Sequence, residues 1–138
     1  RARLFVDIPA QPAPFTPSPW ERTQLSVGGT RVDRAFSIRV DPEKTPNGSV
    51  AFKLDARYRR ARVTLGIEDG FSSFRPHECR VLLTGDGREL EARTLRRGEL
   101  LGLEADVRGV DTLRIEIREL KADSRLSTEV WAGECWVW

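Results

Sequence analysis

The chain contains no methionine, one histidine, one tyrosine and two cysteines in 138 residues. A single imidazole rules out a His-rich metal site and leaves few ways to build a catalytic triad. Neither cysteine belongs to a CxxC pair. Cys79 and Cys135 make an even count, which permits one disulfide without requiring it. The plainer reading packs both as small apolar residues. No apolar run approaches the roughly 20 residues of a membrane helix, so no membrane insertion is expected. The chain has no G-x-S-x-G elbow, no P-loop and no G-x-G-x-x-G, and no segment long enough for a helix follows a helical period. We therefore expect no enzyme and no cofactor.

A large excess of positive or negative charge is absent as well. Lys and Arg number 23 against 21 Asp and Glu, a net charge of +2. That balance gives no reason to expect a nucleic-acid partner. The basic residues are almost all arginine, a bias that GC-rich coding would produce. The densest basic stretch is "RYRRAR", Arg57 to Arg62. Without a second basic strip carrying interleaved aromatics, it reads as a solvated rim at a strand entrance. A start at Arg1 without an initiator points to a piece of a longer protein, whose other domains are then natural partners.

Proline is concentrated at one end. Five of the eight lie between Pro9 and Pro19, in "PAQPAPFTPSPW". Proline cannot donate to a sheet ladder and favours extended backbone. Residues 1–19 are expected to be an N-terminal strand (3–8) followed by a proline-rich arm or linker. Residues 20–138 form the compact domain.

From there the period is two. "TQLSV" meets a glycine turn. "AFSIRV", "VAFKLD" and "ARVTLGIED" each place apolar residues on one face. "ECRVLLTGDGRELEART" is a hairpin with Asp86-Gly87 at its turn. "ELLGLEADV" and "TLRIEIREL" alternate cleanly, and residues 120–128 have room for one helical turn. Strands at regular spacing, apolar on one face and charged on the other, predict an all-β, antiparallel, jelly-roll-like β-sandwich.

The ending "WAGECWVW" carries three of the four tryptophans. Plain alternation sets Trp131, Gly133, Cys135 and Val137 on a core face. It sets Ala132, Glu134, Trp136 and Trp138 on the other. Outward tryptophans need a cover, which could be a sugar ring, another domain or the chain's own proline arm.

Four stretches in this order resemble the NPCBM family, the "novel putative carbohydrate-binding module" domains. They are "SVAFKLDARYRRARVTLGIEDG", "CRVLLTGDGRELEARTLRRGE", "DVRGVDTLRIEI" and "EVWAGECWVW", within residues 23–138. The resemblance implies a galactose-binding-like jelly roll that is an accessory module of bacterial glycoside hydrolases and other large bacterial proteins. The chain departs from the family at "DRAFSIRV", where the usual glycine and histidine are missing. It departs again before Trp131, where an acidic, histidine-containing approach is replaced by Ser127, Thr128, Glu129 and Val130.

The loop "GFSSFRPHE" offers the most site-like chemistry. Phe71 and Phe74 stand among small polar residues, followed by Arg75 and His77. Aromatic rings beside Arg and His suit a sugar, whose C–H faces stack on rings while its hydroxyls need directional partners. The plainer reading makes both phenylalanines a plug for the end of the sandwich. The candidate ligand-binding set is Phe71, Phe74, Arg75 and His77, with Trp136 as a platform. A structural Ca²⁺ at Glu68-Asp69 is the one metal option, against a turn-forming Asp before Gly70. Catalysis by His77 with Cys79 is set aside, because the register with Val81 and Leu83 buries Cys79.

The expected function is carbohydrate-binding-module-like and non-catalytic, with a glycan or polysaccharide as partner; the sequence does not name the compartment, which is extracellular if that reading holds. The alternative is a protein-interaction or sensory domain that keeps the sandwich and has lost the sugar site.

Overall fold

The computed structural model describes residues 3–4, 10–12, 21–40, 47–69, 76–122 and 128–138. Every regular element among them is a strand. The strands are β1 (Arg3–Leu4), β2 (Ala10–Pro12), β3 (Glu21–Val27), β4 (Thr30–Val40), β5 (Gly48–Lys53) and β6 (Arg60–Gly66), then β7 (Pro76–Gly85), β8 (Arg88–Arg96), β9 (Leu100–Asp106), β10 (Thr112–Ala122), β11 (Thr128–Gly133) and β12 (Trp136–Val137).

They form two antiparallel sheets. The seven-stranded sheet runs β1-β12-β6-β11-β4-β3, with β9 also paired to β6. The five-stranded sheet runs β2-β5-β10-β7-β8. The chain passes repeatedly from one sheet to the other, so each layer is assembled from distant segments. Both described pieces of the N-terminal stretch are paired, β1 with β12 and β2 with β5.

The alternation explains the layers. In β6, Ala61, Val63 and Leu65 are buried, while Arg60, Arg62 and Thr64 point away from the core. Val81 and Leu83 of β7 and Leu113, Ile115 and Ile117 of β10 supply the facing layer. Phe36 of β4 meets Phe52 of β5 edge to face, ring centroids 5.2 Å apart, and so joins the two sheets. Such a contact contributes about 0.5–1.5 kcal/mol beyond its buried area.

The β7–β8 turn follows the sequence expectation. Thr84 pairs with Glu89 and Gly85 with Arg88, leaving Asp86-Gly87 as a two-residue loop. Both have positive φ, 51° and 82°, which a hairpin with the sheet's own twist requires. The Asp86 carboxylate accepts the N–H groups of Thr112 (2.9 Å) and Asp111 (3.1 Å). Those two bonds hold its pKa below the ordinary carboxylate value.

Two expectations change. β10 continues as strand through Ala122, where one helical turn was anticipated over 120–128; residues 123–127 lie outside the described set. The core assignment of Trp131 is also corrected. Val130 and Ala132 point into the main core, so Trp131 faces the other way. It is buried there in a separate cluster with Leu25, Val27, Val32 and Ala35. The cause is Glu134, with φ 51°. This left-handed residue interrupts the strand and shifts the alternation by one. Cys135 and Val137 then re-enter the core.

The cover on Trp131 is the β3–β4 hairpin, whose tip packs closely on the outer face of its own sheet. A Cβ at Gly66 would lie 2.6 Å from Val27 Cγ1, and one at Gly133 would collide with Val32. The backbone there has no room for a side chain. Replacing Gly133 by Ala is expected to lower unfolding stability by about 1–3 kcal/mol through overpacking. Gly102→Ala, whose Cβ would meet nothing within 4 Å, is expected to shift it by less than about 0.5 kcal/mol. Urea unfolding midpoints of the two variants test this; equal midpoints would contradict the close approach.

Candidate functional site

The outer face of the seven-stranded sheet has two halves. The hairpin covers one, over Trp131. The other carries the chain's last residues. Trp136 and Trp138 are 38% and 39% exposed, high for side chains this apolar. β12 places them. Trp136 lies opposite Arg62 of β6, and Arg62 lies opposite Glu104 of β9. Trp138 N–H donates to the Arg60 carbonyl at 3.1 Å, and Arg60 N–H returns a bond to the Trp138 carbonyl at 3.0 Å. Arg59 N–H donates to the same carbonyl at 2.7 Å. The last residue is thus pinned opposite Arg60.

Two parallel rows result. One reads Trp136, Arg62, Glu104, and the other Trp138, Arg60, Asp106. The Arg60 guanidinium pairs with Glu104 at 3.2 Å. Asp106 is clasped by Arg108, whose Nη2 lies 2.6 Å from Oδ2 and whose backbone N–H donates at 3.0 Å. The Arg108 side chain, then its backbone N–H, hold the Asp106 carboxyl at about 2. Arg62 is exposed and has no side-chain hydrogen bond or ion pair among the described residues. Gly102, opposite Thr64, leaves open space beside these rows. A groove of about 370 Å³ continues from Asp106, lined by Arg88, Glu89, Leu90, Ala105 and Arg108.

The residues singled out from sequence separate. Phe71, Phe74 and Arg75 lie outside the described residues. His77 is exposed at the start of β7, in the five-stranded sheet, and its carbonyl accepts Arg97 N–H at 2.9 Å. Trp136 stands in the other sheet, so the two do not share a layer. Arg60, Arg62 and Glu104 were not foreseen as neighbours of the tryptophans. Alternation with Ala61 and Val63 turns both arginines outward, but pairing with β12 is what brings them to the rings.

The remaining options for chemistry are accounted for. Asp69 closes the β3–β4 turn: its carboxylate accepts Gly28 N–H (2.7 Å), Gly29 N–H (2.9 Å) and the Ser26 hydroxyl (3.0 Å). Both oxygens meet donors, a poor fit to a Ca²⁺ ligand set. Among the described residues no three His, Cys, Asp or Glu side chains gather into a metal-binding group. Cys79 and Cys135 are free thiols buried in the main core. Burial pushes each up to about 12, so neither offers a thiolate near neutrality.

No protein-family model matches the chain, and no curated protein does. Its fold does match solved structures. The CBM51-2 domain, in complex with GlcNAc, of ZmpB from Clostridium perfringens superposes with TM-score 0.75 at 9% identity, over 99% of this chain and 31% of that one. The CBM51 of a GH95 protein from the same organism, in complex with methyl-galactose, gives 0.68 at 10% identity over all of both chains. The tandem CBM51 modules of Sp3GH98, a family 98 glycoside hydrolase from Streptococcus pneumoniae, give 0.64 at 12%, over 99% and 46%. These neighbours are carbohydrate-binding modules, and what the chain shares with them is the β-sandwich fold.

The thiols yield a pH prediction. The exposed thiol ionises near 9.0 and the folded one near 12. A raised folded value means the stabilisation is complete below pH 9.0 and is lost as pH climbs toward 12. Each thiol then costs up to about 1.4 kcal/mol per pH unit in that window. The double variant Cys79→Ala, Cys135→Ala should lose less stability than the unmodified chain between about pH 8 and pH 10.5. Parallel urea melts check it, and identical slopes would contradict it.

Proposed function

We propose that the chain is a non-catalytic carbohydrate-binding module of the NPCBM kind, part of a larger bacterial protein. It holds a sugar ring on Trp136, with Trp138 beside it. Residues 20–138 form the binding domain and residues 1–19 its arm. One observation carries this reading: two exposed tryptophans stand in register with Arg60, Arg62 and Glu104 on the outer face of a sandwich. An indole supplies an apolar face for sugar C–H groups, and the charged rows supply donors and acceptors for hydroxyls. The fold supports it, because its structural neighbours are sugar-binding modules. The loop residues Phe71, Phe74, Arg75 and His77 are proposed as a second contact set.

The exposure of both rings also favours a second reading, a docking surface for another protein domain. A glycan and polysaccharide screen separates the two. It uses the whole chain with Trp136→Ala, Trp138→Ala and Phe74→Ala beside it. Loss of one stacking ring should weaken binding about tenfold, with the β-sheet circular dichroism of the folded chain retained at the assay temperature. Binding that depends on Phe74 and not on Trp136 would move the site to the loop. No binding to any glycan would favour the docking surface.

A further inference from the structure

Resting on the sugar-binding reading, we infer that the tryptophan platform selects an acidic glycan, one whose ring carries a carboxylate, and that Arg62 is the residue that selects it. Nothing in the proposed stacking demands charge, since an indole accepts neutral and acidic rings alike. The arrangement of the arginines does.

Among the described residues, three arginines on or beside the two rows differ in what they are paired with. Arg60 is paired with Glu104 at 3.2 Å. Arg108 is closed on Asp106 through Nε and Nη2. Arg62 stands between Trp136 and Glu104 in the strand order, yet Glu104 pairs with Arg60. The Arg62 guanidinium therefore keeps its donors for solvent or a ligand. It is directly cross-strand from Trp136, and such neighbours have Cβ atoms about 4.5–5.5 Å apart on one face. A ring on the indole would hold a carboxylate within reach of the guanidinium fork, which matches carboxylate geometry with two parallel N–H bonds.

The surroundings favour the same sign. Arg57, Arg59, Arg60 and Arg62 fall within six residues entering or on β6. The acids facing them, Glu104 and Asp106, are already paired with Arg60 and Arg108. The local excess is positive although the whole chain is nearly neutral. Along the strip past Asp106, Arg88 and Arg108 line the adjoining groove, where the next sugar of a polymer would extend.

Matched polymers provide the test. Polygalacturonate and alginate carry a carboxylate on each ring; fully methyl-esterified polygalacturonate keeps the ring and removes the charge. Binding of the whole chain is measured by calorimetry at low and high salt. The expected result is binding of at least one acidic polymer, weakened about tenfold by Arg62→Gln or by raised salt. The esterified polymer should bind no better than the Arg62→Gln variant binds the acidic one. Trp136→Ala should lose binding to the acidic polymer. Equal binding of acidic and esterified polymers, indifferent to Arg62→Gln and sensitive to Trp136→Ala, overturns the selection by charge and leaves the sugar platform standing. Binding of neutral glycans only, in the wider screen, does the same. No binding of any glycan overturns both readings. The unfolding midpoint of Arg62→Gln, expected to match the unmodified chain because Arg62 is exposed, and retained β-sheet circular dichroism of Trp136→Ala exclude a folding defect.

Discussion

Strand β6 is the constraint on which the other elements of this face depend. It is hydrogen-bonded to β9 along its whole length on one edge. On its other edge it pairs with β12 at Arg62 and Ala61, and with β11 at Leu65 and Gly66. A strand held on both edges cannot slip by one residue without turning Ala61, Val63 and Leu65 out of the core. The same register presents Arg60, Arg62, Thr64 and Gly66 on the opposite face. Core and site are therefore two readings of one alternation. Gly66 receives the hairpin, and Arg60 and Arg62 receive the tryptophans.

Glu134 divides the last segment between those two uses. Without a residue in the left-handed region, strict alternation from Trp131 would carry Val137 out of the core with it. Non-glycine residues seldom adopt that conformation. Here the Glu134 N–H donates to the Asp33 carbonyl at 3.2 Å, which ties the interruption to β4. β4 itself has a left-handed residue at Arg34, where its register passes from the hairpin to the core strand. Both irregularities lie in the path that lets the β3–β4 hairpin pack against Trp131.

Much of the fold was legible because the period-two pattern is strong and the turns are short. The β7–β8 hairpin, the apolar faces of β5, β6, β9 and β10, and the outward direction of Trp136 and Trp138 follow from local sequence. Pairing between remote strands does not. Nothing in "RYRRAR" or "WVW" says that Arg62 will lie opposite Trp136, since the register comes from hydrogen bonds between segments at opposite ends of the domain. The inversion at Glu134 was equally hidden, because the side chain of a left-handed residue looks ordinary in a sequence. The arginines read as a solvated rim, and Arg57, Arg59 and Arg62 are exposed; what stayed hidden is that Arg60 and Arg62 lie cross-strand from the two tryptophans. Histidine 77 and Trp136 were grouped by chemical type, and the fold puts them in different sheets.

The two halves of the outer face also bear on what can cover the exposed rings. Over Trp131 the sheet offers Gly66, Gly133, Ala35 and Val32, none charged, and a hairpin seals it with Leu25 and Val27. Over Trp136 and Trp138 the neighbouring rows are Arg60, Arg62, Glu104 and Asp106. An apolar protein surface laid on those rows would have to desolvate several charges at once, and unpaired charges taken from water are costly. A hydroxylated ring has no such difficulty. Its apolar face can take the indole while its oxygens meet guanidinium and carboxylate groups that stay hydrated at the rim. The distribution of charge beside the tryptophans thus favours a polar ligand with one apolar face over a second protein core. Among such ligands it favours one that brings the carboxylate Arg62 lacks.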